Sequence, residues 1–388
     1  MWRFLIPIFL IFGGAAFYVY MRYRPLLPDF SSWRGWAAFA AFFTIIFAYV
    51  IGSYFQTRGQ LVVAKPFMVV GSWAMAVLLY SFLIFLAVDI ARLLNLLIFK
   101  AEWLAFRYQP GNDKGHIFSM VCGVVVALVV VIGFFNAHFP IRKELSFKTE
   151  KSLAEPVRFV LVSDVHLGMI NCDRYFERLA KRINAENVDF VLVAGDFFDG
   201  APTPVFRSRA AEILKTINTR YGIFAIPGNH EYIGNAASAM QFMRQNGVNV
   251  LCDSVENLPC GISILGRDDY YAVRIKGGRA SVESLVAQAD SANYKILLDH
   301  QPFHLEEAEN AGIDLQLSGH THHGQLWPGN RITKSMYECS FGLHRRGNTN
   351  YYVSSGYGTW GPPIRTTCHP EMVVVSLSKT ITKNDNDN

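Results

Sequence analysis

Residues 4–20 read FLIPIFLIFGGAAFYVY without a charged side chain, and three later stretches, Trp36 to Phe55, Phe67 to about Val88 and Ile117 to about Phe135, are equally bare. A run of about 20 apolar residues is long enough to cross a hydrocarbon core as a helix, the form that satisfies its own backbone hydrogen bonds there. The spacing therefore predicts a membrane region over residues 1–140 with four transmembrane helices. A cleaved leader is excluded for the first run, because no small-x-small cleavage site follows it and more apolar segments do. The Val124 to Ile132 run has strand-like composition, but its apolar context extends past 18 residues and is read as a span.

Between the third and fourth runs, Ile90, Leu93, Leu94, Leu97 and Ile98 fall on one helical stripe, with Arg92, Asn95 and Lys100 elsewhere. This predicts a continuation that leaves the bilayer and lies along its surface. Asp89 and Arg92, at i and i+3, are placed to pair near the interface. Four spans put the N-terminus and everything after residue 140 on one side. Lys and Arg number seven in the segments on that side and six in the opposite loops, too even a split for the positive-inside rule. The five cysteines of the second half cannot all pair with one another, which points to the cytoplasm.

The overall hydrophobic fraction of 51% is concentrated in that first region. The net charge of +5 comes without a long basic run, so a nucleic-acid partner is not expected. None of the six cysteines forms a Cys-x-x-Cys pair, which argues against a disulfide framework or a zinc-thiolate site.

After a charged connector, residues 141–156, short apolar runs alternate with helical patterns. Val157 to Val162 ends in Ser163-Asp164-Val165-His166, and Phe190 to Ala194 ends in Gly195-Asp196. Ile223 to Ile226 ends in Pro227-Gly228-Asn229-His230-Glu231, and Lys295 to Leu298 ends in Asp299-His300. Asp314 to Leu317 ends in Ser318-Gly319-His320-Thr321-His322-His323. Strands whose carboxyl ends all carry polar side chains describe an open sheet with its site along one edge. Each motif alone is common, but five in order are not. Carboxylates and imidazoles without thiolates suit borderline divalent ions such as Zn, Mn and Fe. One carboxylate can bridge two such ions at roughly 3.5–4 Å, an arrangement suited to phosphoryl chemistry.

The ordered set Asp164-Val165-His166, Gly195-Asp196, Gly228-Asn229-His230-Glu231, His300 and Gly319-His320-Thr321-His322 resembles the calcineurin-like metallophosphoesterase superfamily. The resemblance implies a four-layered α/β/β/α sandwich, an α/β fold, over residues 157–380. The tract from Gly356 to Arg365, GYGTWGPPIR, followed by Pro370-Glu371, is similar to the branch of bacterial membrane-associated phosphoesterases of the YkuE and YaeI type. That branch carries Gly where this chain has His323, which adds an imidazole near the site.

Carried over residue by residue, the resemblance implies that Asp164, His166 and His322 hold one divalent ion. It implies that Asn229, His300 and His320 hold the other, with Asp196 bridging them. His230 is expected to protonate the leaving oxygen or to stabilise phosphoryl charge, and Glu231 to orient it. Arg365, stiffened by two prolines and shaped for bidentate phosphate contact, is expected to bind substrate together with His323.

The expected function is hydrolysis of a phosphodiester or pyrophosphate bond, held close to the membrane where lipid substrates reside. The resemblance makes UDP-2,3-diacylglucosamine the concrete candidate. The expected partners are a phosphate-containing lipid or nucleotide-lipid and the membrane lipids, and the expected location is a bacterial inner membrane with the catalytic domain in the cytoplasm. Two alternatives are weighed against this: a broad-specificity phosphatase or phosphodiesterase on soluble nucleotides, and a non-catalytic binding or scaffold module. The intact ligand set argues against the last.

Overall fold

The computed structural model describes residues 2–100 and 106–380, with side chains from Leu10 onward and that of Phe99 omitted. The chain divides into two compact units, residues 1–135 with 361–364, and residues 136–360 with 365–388.

The first unit is helical: Trp2–Tyr23, Trp33–Ile46, Ala48–Thr57, Leu61–Leu94 and Asp113–His138. Among the described residues, two helical stretches, Leu61–Ile98 and Asp113–His138, are long and apolar enough to cross a membrane. The pair Trp33–Ile46 and Ala48–Thr57, bent by 51°, gives a third if it is one span. The first of the four expected spans lies on the helix Trp2–Tyr23, part of which falls outside the described side chains. A small apolar cluster of Ala16, Val19, Ile46, Ala74 and Leu78 ties the helices together. After Val88 the helix runs on through Leu94 into a π-turn over Asn95–Phe99 and stops at Lys100 in a left-handed conformation. Asp89 and Arg92 pair as expected, and the Asp89 carboxylate also accepts from Tyr18 and Arg22, so its charge is met inside the unit.

Among the described residues, the second unit holds twelve strands. They are β1 (Ile141–Thr149), β2 (Val157–Val162), β3 (Phe190–Ala194), β4 (Ile223–Ile226), β5 (Val248–Val250), β6 (Ser254–Leu258), β7 (Ile262–Gly266), β8 (Tyr294–Leu298), β9 (Leu315–Ser318), β10 (Gly342–Arg346), β11 (Thr349–Val353) and β12 (Glu371–Lys379). One sheet has the order β1-β12-β2-β3-β4-β5 and the other β10-β11-β9-β8-β7-β6. β2 to β5 are parallel, as are β7, β8, β9 and β11.

Side-chain alternation explains the layers. Along β2, Val157, Phe159 and Leu161 enter the core between the sheets, where they meet Ile262, Ile296 and Leu317 of the second sheet. Val160 and Val162 face the other way, onto Phe176, Leu179 and Ile183 of the helix Asp173–Ala185. In the second sheet, Leu297 and Tyr351 point outward to Leu285, Leu305 and Ala308 of its covering helices. Strands buried on both faces read as continuous apolar runs, which is why no polar alternation marks them in the sequence. The result is the expected four-layered α/β/β/α sandwich.

One boundary differs. Nine of the residues read as a connector form β1, paired in parallel with all nine residues of β12. Its sequence, IRKELSFKT, is charged because it is an edge strand, and charges discourage further pairing.

Candidate metal centre

Each of the five ligand-bearing motifs follows directly on β2, β3, β4, β8 or β9, so the sheets deliver them to one rim. The backbone is strained to do it. Asp164, His166, Asp196, His320 and His322 all have positive φ, between 46° and 68°. Such conformations cost of order 1–3 kcal/mol each in non-glycine residues and gather at functional sites. They turn neighbouring side chains toward a common point. The motif glycines make room: a Cβ on Gly195 would lie 2.4 Å from His300 Nδ1, and one on Gly319 would lie 2.3 Å from an Asp164 carboxylate oxygen.

Two groups of donors result. In the first, Asp164, His166 and His322 are buried with one ligand atom each inside a 4.8 Å circle. The Nε2 atoms of His166 and His322 are 2.9 Å apart, and His322 Nε2 is 3.3 Å from Asp164 Oδ1. In the second, Asp196, His300 and His320 meet in the same way. Asn229 Oδ1 joins them, 2.8 Å from His320 Nδ1 and 3.3 Å from His300 Nε2. Asp196 Oδ2 stands 3.2 Å from His300 Nε2 and 3.9 Å from His166 Nε2, between the two groups, where a bridging carboxylate belongs.

The chemistry of this donor set fits divalent cations. The Ala194 carbonyl can only accept, so His300 Nδ1, 2.7 Å away, carries a proton and Nε2 is the nitrogen turned to Asp196 and Asn229. Against burial, the Asp196 charge raises the pKa of this ring, so Nε2 would give up its proton on binding an ion. The His320 backbone N–H donates to both Asp164 oxygens, fixing that carboxylate's orientation. Burial favours the neutral form of His166, and with the charge on His230 brings its pKa down to about 3, so its ring keeps a free lone pair at neutral pH. His320 is lowered to about 4, chiefly by burial. For Asp164, burial would raise the pKa, but His322 and other charges outweigh it and hold the carboxyl below its ordinary value.

His230 is in neither of these groups, but with His166 and Asp199 it makes a third trio close enough to hold an ion. Its backbone N–H donates to Asp196 Oδ1, and its Nδ1 is 3.4 Å from Asp199 Oδ1. Burial would favour the neutral ring, yet the Asp199 hydrogen bond and the Asp196 charge prevail and raise its pKa to about 9. The sequence reading passed over Asp199, although the signal was present: Asp196-Phe197-Phe198-Asp199 repeats a carboxylate three residues on. Asp199 Oδ1 also lies 3.6 Å from His166 Nδ1, too far for a hydrogen bond, and that buried nitrogen has no hydrogen-bond partner among the described residues.

Three expected residues sit elsewhere than anticipated. Glu231 is fully buried, and its carboxylate accepts from the backbone N–H groups of Gly228, Phe198 and Asp196. It clamps two ligand loops together and does not reach the His230 ring as an orienting partner. Arg365 is wholly buried beneath the site and donates to His322 Nδ1 and to the Gly358 and Gly356 carbonyls. It supports a ligand where substrate contact was expected. The His323 ring packs on Phe341 at 4.8 Å, outside the lining of the cavity.

The donors open into a cavity of about 420 Å³. Asp196, Asn229, His230, His320 and His322 line it together with the apolar side chains of Ile332, Met336 and Trp360.

A sandwich of this topology, with two donor groups joined by one carboxylate at its rim, defines a metallophosphoesterase. Residues 157–324 match the family described as calcineurin-like phosphoesterase, and the chain belongs to that family. Among its relatives, a metallophosphoesterase of Aquifex aeolicus is 30% identical over 64% of this chain and 97% of its own length. The metallophosphoesterase YkuE of Bacillus subtilis is 27% identical over 58% of this chain and 79% of its own. A zebrafish (Danio rerio) relative, named transmembrane protein with metallophosphoesterase domain, is 30% identical over 66% of this chain and 62% of its own. The protein is thus a metal-dependent phosphoester hydrolase by family, associated with the membrane through its apolar helices.

Proposed function

We propose that the protein is a membrane-anchored, two-metal hydrolase of a phosphodiester or pyrophosphate in a lipid or lipid-linked precursor. The observation that carries the reading is the position of Asp196 between the Asp164, His166, His322 group and the Asn229, His300, His320 group. Mn, Zn and Fe all suit these donors. Bound there, such ions would supply positive charge against the phosphoryl oxygens and an activated water.

The chain's own residues do the rest. Asp164, held by the His320 N–H, and His300, held by the Ala194 carbonyl, keep the donors pre-aimed. His230, protonated at neutral pH by virtue of Asp199 and Asp196, faces the cavity as the acid for the departing oxygen. Beyond His230 and the two ions, no Lys or Arg lines the cavity among the described residues to meet a further negative charge on the substrate. That favours a singly charged diester over a doubly charged monoester. The free cysteines of the catalytic unit support a cytoplasmic location, at the inner face of a bacterial membrane.

The test uses the full chain in lipid nanodiscs with Mn, Zn or Fe, on bis-p-nitrophenyl phosphate, p-nitrophenyl phosphate and UDP-2,3-diacylglucosamine. The expected result is metal-dependent turnover, with the diester preferred over the monoester and the nucleotide lipid cleaved at its pyrophosphate. Turnover of the monoester alone would overturn the bond assignment. Turnover of the soluble diester without the lipid would remove the lipid substrate.

A further inference from the structure

The helix Gly329–Met336, GNRITKSM, has no buried residue. Isolated helices this short are marginal in water and ordinarily gain their stability by laying an apolar face on a core. Here Gly329, Ile332, Thr333 and Met336, at i, i+3, i+4 and i+7, all line the metal cavity. Asn330, Arg331, Lys334 and Ser335 occupy the other faces. Ile332 and Met336 remain 59% and 58% exposed, and Trp360, which lines the same cavity, is 44% exposed. Scattered exposed apolar residues need no explanation, but three large ones sharing a cavity with metal ligands do.

Trp360 is also held in place. The fully buried Gln325, three residues after His322, accepts from the Trp360 N–H at 3.2 Å and donates to its carbonyl at 2.9 Å. The same loop that presents the imidazoles thereby holds the backbone of Trp360, so a metal-ligand loop and an apolar lining residue are joined directly.

We infer that Ile332, Met336 and Trp360 form the subsite for an apolar chain carried by the alcohol portion of the scissile phosphoester, and that they set specificity by chain length. The inference rests on the phosphoester-hydrolase reading above and deepens it. The occupant is the substrate's own hydrocarbon, because these apolar side chains line the same cavity as the metal donors. Full burial of a methylene is worth about 0.8 kcal/mol, roughly fourfold in binding, and a half-exposed lining would give about twofold per methylene.

The experiment measures kcat/KM of the full chain in lipid nanodiscs with Mn on p-nitrophenyl phosphodiesters of methyl, butyl and octyl alcohols, each below its micelle concentration. The expected result is a rise of tenfold or more from methyl to octyl. In the double variant Ile332→Ser with Met336→Ser, the rise collapses to within about twofold. Leu343→Ser, at an exposed apolar residue outside the cavity, keeps the rise. A flat series in the unmodified protein would overturn the inference, as it would if the helix instead covered itself with bilayer or a second copy. So would a gradient that survives the double variant, or one lost equally in Leu343→Ser. Absence of turnover on every ester would remove the hydrolase reading itself, a different failure from turnover without a gradient.

Discussion

At the scale of single residues, the site divides into donors, a proton carrier and braces. Asp196→Asn is expected to lower turnover by more than about a hundredfold, since even residues that only orient a ligand are worth 10–100-fold. The loss should appear as missing metal by elemental analysis, and unchanged metal content with unchanged activity would contradict the bridging role. His230, raised to about 9, carries its proton at pH 7 and loses it as the pH climbs through that value, so kcat should fall on an alkaline limb. Neighbouring cations draw the limb lower, never higher. His230→Gln should abolish the limb and lower kcat by about 10²–10³-fold, read from a pH profile. Arg365→Ala leaves His322 Nδ1 and the Gly358 carbonyl unpaired, the Gly356 carbonyl keeping the Glu371 N–H, and should destabilise the domain by about 3 kcal/mol in thermal unfolding. The donors were legible because metal chemistry admits few side-chain types and each follows an apolar run. The facing of Arg365 and His323 was not. In a loop where His322 and His323 both take φ of 46°, neighbouring side chains leave in directions that spacing does not reveal.

At the scale of elements, the strands were legible and their partners were not. Runs such as Val157 to Val162 announce doubly buried strands, but nothing in IRKELSFKT distinguishes an edge strand from a charged linker. Its membership becomes visible only through β12, which lies far away in sequence. The Glu231 clamp was hidden for a related reason: the carboxylate spans Gly228 and Phe198, on loops that come together only in the fold. The loops also depend on what glycine permits. Gly195→Ala would press a methyl into the His300 ring, with Gly195 already at a φ of 87°. The expected outcome is selective loss of one of the two metal equivalents, measured by elemental analysis of folded protein.

At the scale of the molecule, the catalytic unit is a closed set of layers once β1 is included. A fragment covering residues 136–388 should be monodisperse in gel filtration and cleave bis-p-nitrophenyl phosphate. A fragment starting at Val157 would bare the β12 edge, whose Met372 to Val375 are apolar and buried, and should aggregate. Equal behaviour of the two would contradict the role given to β1. Two residues, Phe139 and Pro140, separate the helix ending at His138 from β1. Fully stretched, they reach less than about 10 Å. So short a leash bears on the proposed lipid substrate: for a hydrolase tethered to a bilayer, a lipid-borne phosphoester would be met by a nearly two-dimensional search, and a dissolved one would not.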